Sequence, residues 1–208
     1  MPDLESVLSS ERLTRYPGAT LAERLEVYRW NVQLCQALYP TFHYFEVALR
    51  NRVHSAFTGL RGTPLWFEDP GFITHRYAKQ AVREARRKVK GRAVVPGDVV
   101  AGVTFGFWRG LFFPPFEDAW RAVAGEVFPN APAEHATRKA LNGRLSTVLE
   151  FRNRVFHHEP VFHWQDLAKK HAMMHEMLAW MSSAAVAELA KLDTFPVACA
   201  SDPRTRSL

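Results

Sequence analysis

Arg152-Asn153-Arg154-Val155-Phe156-His157-His158-Glu159-Pro160 closes the segment whose reading decides the fold. Behind it, Leu141, Leu145, Val148 and Val155 fall at steps of four, three and seven, one stripe of an α-helix. Pro160 disfavours helix at the residue before it, so the spacing predicts a helix from about Glu134 to Glu159. Arg152 takes the vacant place in the stripe between Val148 and Val155. It is therefore expected to point toward the packed side, where a charge needs a partner or a purpose.

Outward from this helix the chain reads as helical throughout. A first helix is predicted from Leu4 to Tyr16, ended by Pro17-Gly18. Thr20 with Glu23 three residues on has the form of a capping box. Leu21, Leu25, Tyr28, Val32 and Leu38 keep helical spacing after it. Pro40 is expected to kink or restart this helix, which then runs to about Phe57 before a loop marked by Gly59, Gly62 and Pro64. A basic helix follows over His75 to Lys90, then a Pro96-Gly97-Asp98 turn with an aspartate cap.

Val99 to Phe113 is the longest apolar stretch. It is interrupted by Arg109, ended by Pro114-Pro115, and short of the roughly 20 residues a membrane span needs, so it reads as a core helix. Further helices are predicted from Pro115 to Val127 and from Trp164 to Leu192, the latter broken once. The tail after Phe195 is expected to fray. No strand-period segment is long enough to count. The reading is a single all-α domain.

With 47% hydrophobic residues in 208, the chain can bury a substantial core. The 27 basic and 21 acidic residues give a net charge of +6, the sign expected for a polyanionic partner. Cys35 and Cys199 have no metal or redox spacing, which fits a reducing, cytoplasmic setting. The N-terminus lacks the basic and apolar regions of a signal peptide. No membrane association is expected.

The chemistry of residues 152–160 is that of phosphate and proton handling. His157 is a base near neutral pH and could take a proton from a ribose 2′-OH. Arg152 could hold the scissile phosphate, and Asn153 could position the phosphate or the histidine. His158 is a second acid or base. In an ideal helix Arg152 and His157 point about 140° apart. They serve one site only if the helix distorts before Pro160 or a symmetry mate completes the set. The competing reading pairs Arg152 with Glu159 or Glu46 and lets His157 and His158 favour a helix C-terminus.

The run Glu46-Val47-Ala48-Leu49-Arg50-Asn51-Arg52-Val53-His54 repeats Arg-Asn-Arg-Val. Glu46 and Arg50 are spaced for an i,i+4 ion pair, or could flank the main site and orient Arg152. Arg83, Arg86, Arg87, Lys88 and Lys90, with Arg92, form the strongest basic cluster, either a solvated helix face or an RNA-backbone contact. Phe105, Phe107, Trp108, Phe112 and Phe113 read as core or dimer contacts rather than base-stacking rings. Gly106 and Gly110 are expected to permit close helix packing. His171 and His175 are four apart and could share a metal, which leaves a metal-dependent hydrolase as a third reading, but they lack the glutamate of a zinc protease motif, and no metal site or cofactor is expected.

Taken together, residues 46–54 with the preceding Tyr28-Arg29-Trp30-Asn31 and Ala37-Leu38-Tyr39-Pro40, the segment Val103-Thr104-Phe105-Gly106-Phe107-Trp108, and residues 152–160 resemble the Abi-like family of abortive-infection proteins. That family belongs to the HEPN group of all-α proteins, whose signature is an arginine, a polar residue and then a histidine. The resemblance covers about residues 20–180. It implies a HEPN-like bundle, assigned to 20–195; the N-terminal helix in 1–19 and the flexible tail in 196–208 are read from the residues themselves. It places the signature on Arg152, Asn153 and His157. It also implies a homodimer with motifs facing across the interface and metal-independent RNA cleavage in phage defence; a toxic nuclease of this kind needs a restraint, either an antitoxin, a small regulatory RNA or an inactive conformation. Some HEPN proteins only bind RNA or scaffold, which leaves a non-catalytic regulator as the alternative. The tyrosine of nucleotidylated HEPN antitoxins is missing, since His158-Glu159-Pro160 follows His157.

Overall fold

In the computed structural model, which describes residues 2–205, the secondary structure is helical and no β-strand occurs among the described residues. The helices in chain order are α1 (Pro2–Leu8), α2 (Ser10–Leu13), α3 (Leu21–Arg61), α4 (Arg76–Lys88), α5 (Pro96–Gly102), α6 (Phe105–Gly110), α7 (Glu117–Val127), α8 (Arg138–Phe156), α9 (Leu167–Met181), α10 (Ser183–Leu189) and α11 (Phe195–Ala200). Short 3-10 turns cover Trp66–Glu68, Pro114–Phe116 and Pro203–Thr205.

The fold is organised on α3. Its 41 residues span about 60 Å at 1.5 Å per residue. Thr20 and Glu23 form the expected capping box at its start. Gly62 ends it in the left-handed region at φ 66°, a conformation open to glycine at little cost. Pro40 neither restarts nor ends the helix. The lost N–H deprives the carbonyl of Gln36, an exposed residue, at a cost of about 3 kcal/mol. Buried Leu34, Leu38, Phe42 and Phe45 on either side supply packing that offsets it. Val32, placed on the apolar stripe by spacing, faces solvent, while Trp30, Asn31 and Leu34 face inward.

Helices α7, α9, α10 and α11 pack against α3, and α8 packs against α6, α7 and α9. The core is aromatic. Phe57, Trp66 and Trp120 meet at ring separations of 5.1 and 5.7 Å around Phe57, and Phe112 stacks on Trp120 at 3.9 Å. Phe105, Phe107, Trp108 and Phe112 are buried and therefore closed to bases, while Phe113 is partly exposed.

Several boundaries differ from those expected. The N-terminal helix divides at Ser9, whose φ is 64°, into α1 and α2. Asp98 is the third residue of α5 rather than its cap, and its carboxylate accepts from Val95 N–H at 2.9 Å and holds Arg92. The apolar helix from Val99 is interrupted at Val103-Thr104, where the two β-branched residues take extended backbone. Gly106 and Gly110 meet no neighbouring helix, and with Phe107, Phe113 and Tyr77 they line an apolar groove of about 500 Å³. The close approach occurs instead at Gly102, where an added Cβ would lie 3.0 Å from Ala85 Cβ. Helix α8 starts after the cap Thr137, whose hydroxyl accepts from Ala140 N–H at 3.2 Å. The break near residue 182 falls at Ser182, which caps α10.

The segment after Phe195 does not fray as expected. Phe195 is buried, α11 packs on α3, and Trp30 Nε1 donates to Ala198 O at 2.8 Å. Arg204 lies over Trp30 and Phe162. Residues 206–208 of the expected tail lie outside the described residues.

Candidate functional site

Helix α8 carries the motif, and the way it stops determines what the motif presents. His157 follows the last helical residue, and His158 adopts φ 59°, the left-handed region. His158 N–H donates to Val155 O at 3.1 Å and Glu159 N–H to Arg154 O at 2.9 Å. These two bonds are those of a Schellman termination, with a histidine where glycine is usual. The helix therefore ends three residues before Glu159, and the distortion before Pro160 is real. Beyond it, buried Asn31 on α3 accepts through Oδ1 from Val161 and Phe162 N–H at 2.8 and 3.1 Å. From the other side Arg12 donates to His158 O, and Tyr16 stacks on Phe162 at 5.1 Å.

Arg152 is not at the centre of the packed face. Phe151 is, fully buried, because the face is broader than the stripe of aliphatic residues alone. Arg152 sits at the edge, with its side chain 29% exposed. Its Nε donates to Glu46 Oε1 at 3.2 Å, and its guanidinium lies 4.5 Å from the Phe156 ring centroid. Of the two carboxylates considered as partners, Glu46 holds it, and Glu159 pairs with Arg154 at 3.5 Å. Asn153 is half-buried, and His157 and His158 are exposed. No hydrogen bond joins Arg152 to His157 among the described residues.

The expected Glu46–Arg50 pair does not form, because Glu46 turns across to α8. The Nε of Arg50 is buried without a hydrogen-bond partner. The Arg-Asn-Arg-Val repeat reflects shared helix geometry. Val53 and Val155 are both buried, and Arg52 and Arg154 both donate to backbone carbonyls, of Met181 at 2.6 Å and Pro160 at 3.4 Å. His54 accepts at Nδ1 from Trp66 Nε1 at 3.0 Å, and burial lowers its pKa, so it is a neutral packing residue.

Two residues to which the sequence reading gave no role lead ring by ring to Phe156, on which Arg152 lies. Exposed Tyr39 approaches Phe156 at 6.4 Å and the ring of exposed His43 at 6.1 Å. His43 also borders a cleft of about 500 Å³ lined by Tyr44, Asn51, Arg52 and Ser182. The signal was present in the spacing: Tyr39, His43 and Glu46 fall at steps of four and three on one face of α3.

The basic cluster lies on α4 and, for Lys90 and Arg92, just beyond its end; α4 packs against α5 and α6 rather than lining the α3–α8 contact. Arg86 pairs with Glu68, Arg92 with Asp98, and Lys88 donates to Gly102 O at 3.3 Å. Arg83, Arg87 and Lys90 are exposed and make no ion pair among the described residues.

Both cysteines are free, and burial pushes the Cys35 thiol up to about 11. His171, His175 and Asp193 come together in the packed region between α9 and the loop before α11. Burial lowers the pKa of both histidines, against the opposing charge of Asp193. No helix of the described residues is long and apolar enough to cross a membrane. The chain matches no protein-family model, no curated protein and no solved structure.

Proposed function

We propose that this chain is a HEPN-type, Abi-like protein that cleaves RNA without a metal, as an effector of phage defence. The observation that carries the reading is the setting of Arg152. A guanidinium pinned between Glu46 and the Phe156 ring, partly open to solvent, lies five residues before exposed His157 at a terminated helix. Such a pinned fork suits a phosphate diester, and the exposed rings of Tyr39 and Phe156 suit base stacking.

In this mechanism His157 takes the proton of a ribose 2′-OH, whose oxygen attacks the adjacent phosphorus. The P–O5′ bond breaks, and a second acid, His158 or His157 of a second copy, protonates the departing 5′-oxygen. The products are a 2′,3′-cyclic phosphate and a 5′-hydroxyl. Arg152 stabilises the charge gathering on the phosphoryl oxygens, and Asn153 orients it. A homodimer would set two motifs face to face. Arg83, Arg87 and Lys90 would hold the RNA backbone away from the site. Restraint by an antitoxin or a small RNA belongs to the same reading.

One observation favours a binding role instead. The Arg152 charge is already matched by Glu46, and nothing ties it to His157. A non-catalytic RNA-binding regulator would use the same surface. The deciding experiment incubates cellular RNA with wild type, Arg152→Ala and His157→Ala in EDTA. The nuclease reading expects cleavage by wild type and at least about 100-fold slower cleavage by each variant. Salt-sensitive binding by all three, with no cleavage, would replace it with the regulator.

A further inference from the structure

We propose that His171, His175 and Asp193 form a binding site for one divalent transition-metal ion, Zn²⁺ by preference, that fastens the loop before α11 to α9. The site uses none of the residues of the proposed nuclease centre. His171 and His175 stand one helical turn apart on α9, with ring centroids 4.3 Å from each other. Asp193 comes from the turn between α10 and α11. The three ligand atoms all lie within 4.8 Å of one another.

Their spacing suits the ion. Asp193 Oδ2 lies 3.1 Å from His171 Nε2 and 3.2 Å from His175 Nε2. A tetrahedron with bonds of about 2.0–2.1 Å has edges of about 3.3 Å. The carboxylate is also oriented from behind. Phe195 N–H donates to Oδ1 at 3.0 Å, which directs Oδ2 toward the two imidazoles, and His171 Nε2 lies 3.2 Å from the same Oδ1. The Phe195 ring stacks on His171 at 4.5 Å and fixes its plane.

Two features are unsettled without a cation. Asp193 is 10% exposed, and no lysine or arginine among the described residues pairs with it. A carboxylate so placed calls for a positive charge. His175 Nε2 is buried and has no hydrogen-bond partner, since its approach to Oδ2 is not aligned for one. An ion between the three atoms satisfies both. Two imidazoles and a carboxylate suit Zn²⁺ or Co²⁺ better than Mg²⁺ or Ca²⁺, and the fourth position is left for water.

The test starts from chelator-treated full-length protein and titrates Zn²⁺ alone by calorimetry, with Co²⁺ absorption as a second probe. The expected result is one Zn²⁺ per chain at micromolar or tighter affinity, a visible Co²⁺ band, and a rise in Tm of about 5 °C or more. His175→Gln and Asp193→Asn should each weaken binding by at least about 10-fold, while His163→Gln should leave it unchanged. Asp193→Asn keeps an acceptor for Phe195 N–H, so it tests the ion even if His175→Gln fails to fold. No binding at about 100 μM Zn²⁺, or binding that survives intact in a folded variant of either ligand, overturns the proposal.

Discussion

At the scale of single residues, three side chains govern the end of α8. His158 occupies a left-handed backbone position that disfavours any residue with a Cβ. His158→Gly should stabilise the fold by about 1 kcal/mol, read as a shift in urea midpoint at constant m. If His158 is the second acid of the reaction, the same variant loses activity while it gains stability. Asn31 works in the opposite direction. Asn31→Ala orphans two buried N–H groups and should cost about 2–4 kcal/mol in the same unfolding experiment. Glu46 is the third. It neutralises Arg152, so Glu46→Gln should tighten RNA binding about 5–10-fold at low salt, measured by fluorescence anisotropy. Unchanged affinity would mean that Arg152 does not meet phosphate.

The legibility of these residues was uneven. The helix stripe indicated that Arg152 needed a partner and named Glu46 as one of two. It put Arg152 too deep, because Phe151 was left out of the stripe. Which carboxylate wins depends on how α3 crosses α8, a tertiary fact with no local signal. The left-handed His158 was hidden because histidine marks that conformation far more weakly than glycine does. The third ligand of the His171–His175 pair lies 18 residues beyond His175, across a helix break, where spacing rules do not reach.

Among elements, α3 dominates. Its start was legible in Thr20 and Glu23, since a capping box is chemistry between near neighbours. Its continuity through Pro40 was not, since the local penalty of proline is outweighed by packing that the sequence does not display. Pro40→Ala restores a donor to Gln36 O and should raise stability by about 1–3 kcal/mol, with a higher Tm and unchanged far-ultraviolet dichroism. Helix α11 shows the same effect in reverse. Its composition resembles a tail, yet Phe195 reaches the core and Ala198 O is bound by Trp30.

For the whole molecule, the all-α class was legible because helical periodicity recurs in every long segment, and most of the aromatic load went into one core. Burial lowers the pKa of His54 and His163, with Arg154 and Arg204 adding repulsion at His163. A lowered folded-state pKa means that the unfolded chain binds the proton more tightly. Stability is then complete above the ordinary histidine pKa of about 6.5 and declines as pH falls below it. Tm should drop as pH falls from about 6.5 to about 5.5, and His54→Gln, which keeps an acceptor for Trp66, should flatten the slope.

The same scale holds the central claim, that the end of α8 and the face of α3 beside it cleave RNA through 2′-OH attack. The most direct measurement maps the ends of RNA fragments released in EDTA by wild type, Arg152→Ala and His157→Ala, with circular dichroism showing that each keeps its helices. The account predicts 2′,3′-cyclic phosphate and 5′-hydroxyl ends from wild type and near-complete loss in both variants. Fragments ending in 3′-hydroxyl and 5′-phosphate, or equal cleavage by all three proteins, would contradict it.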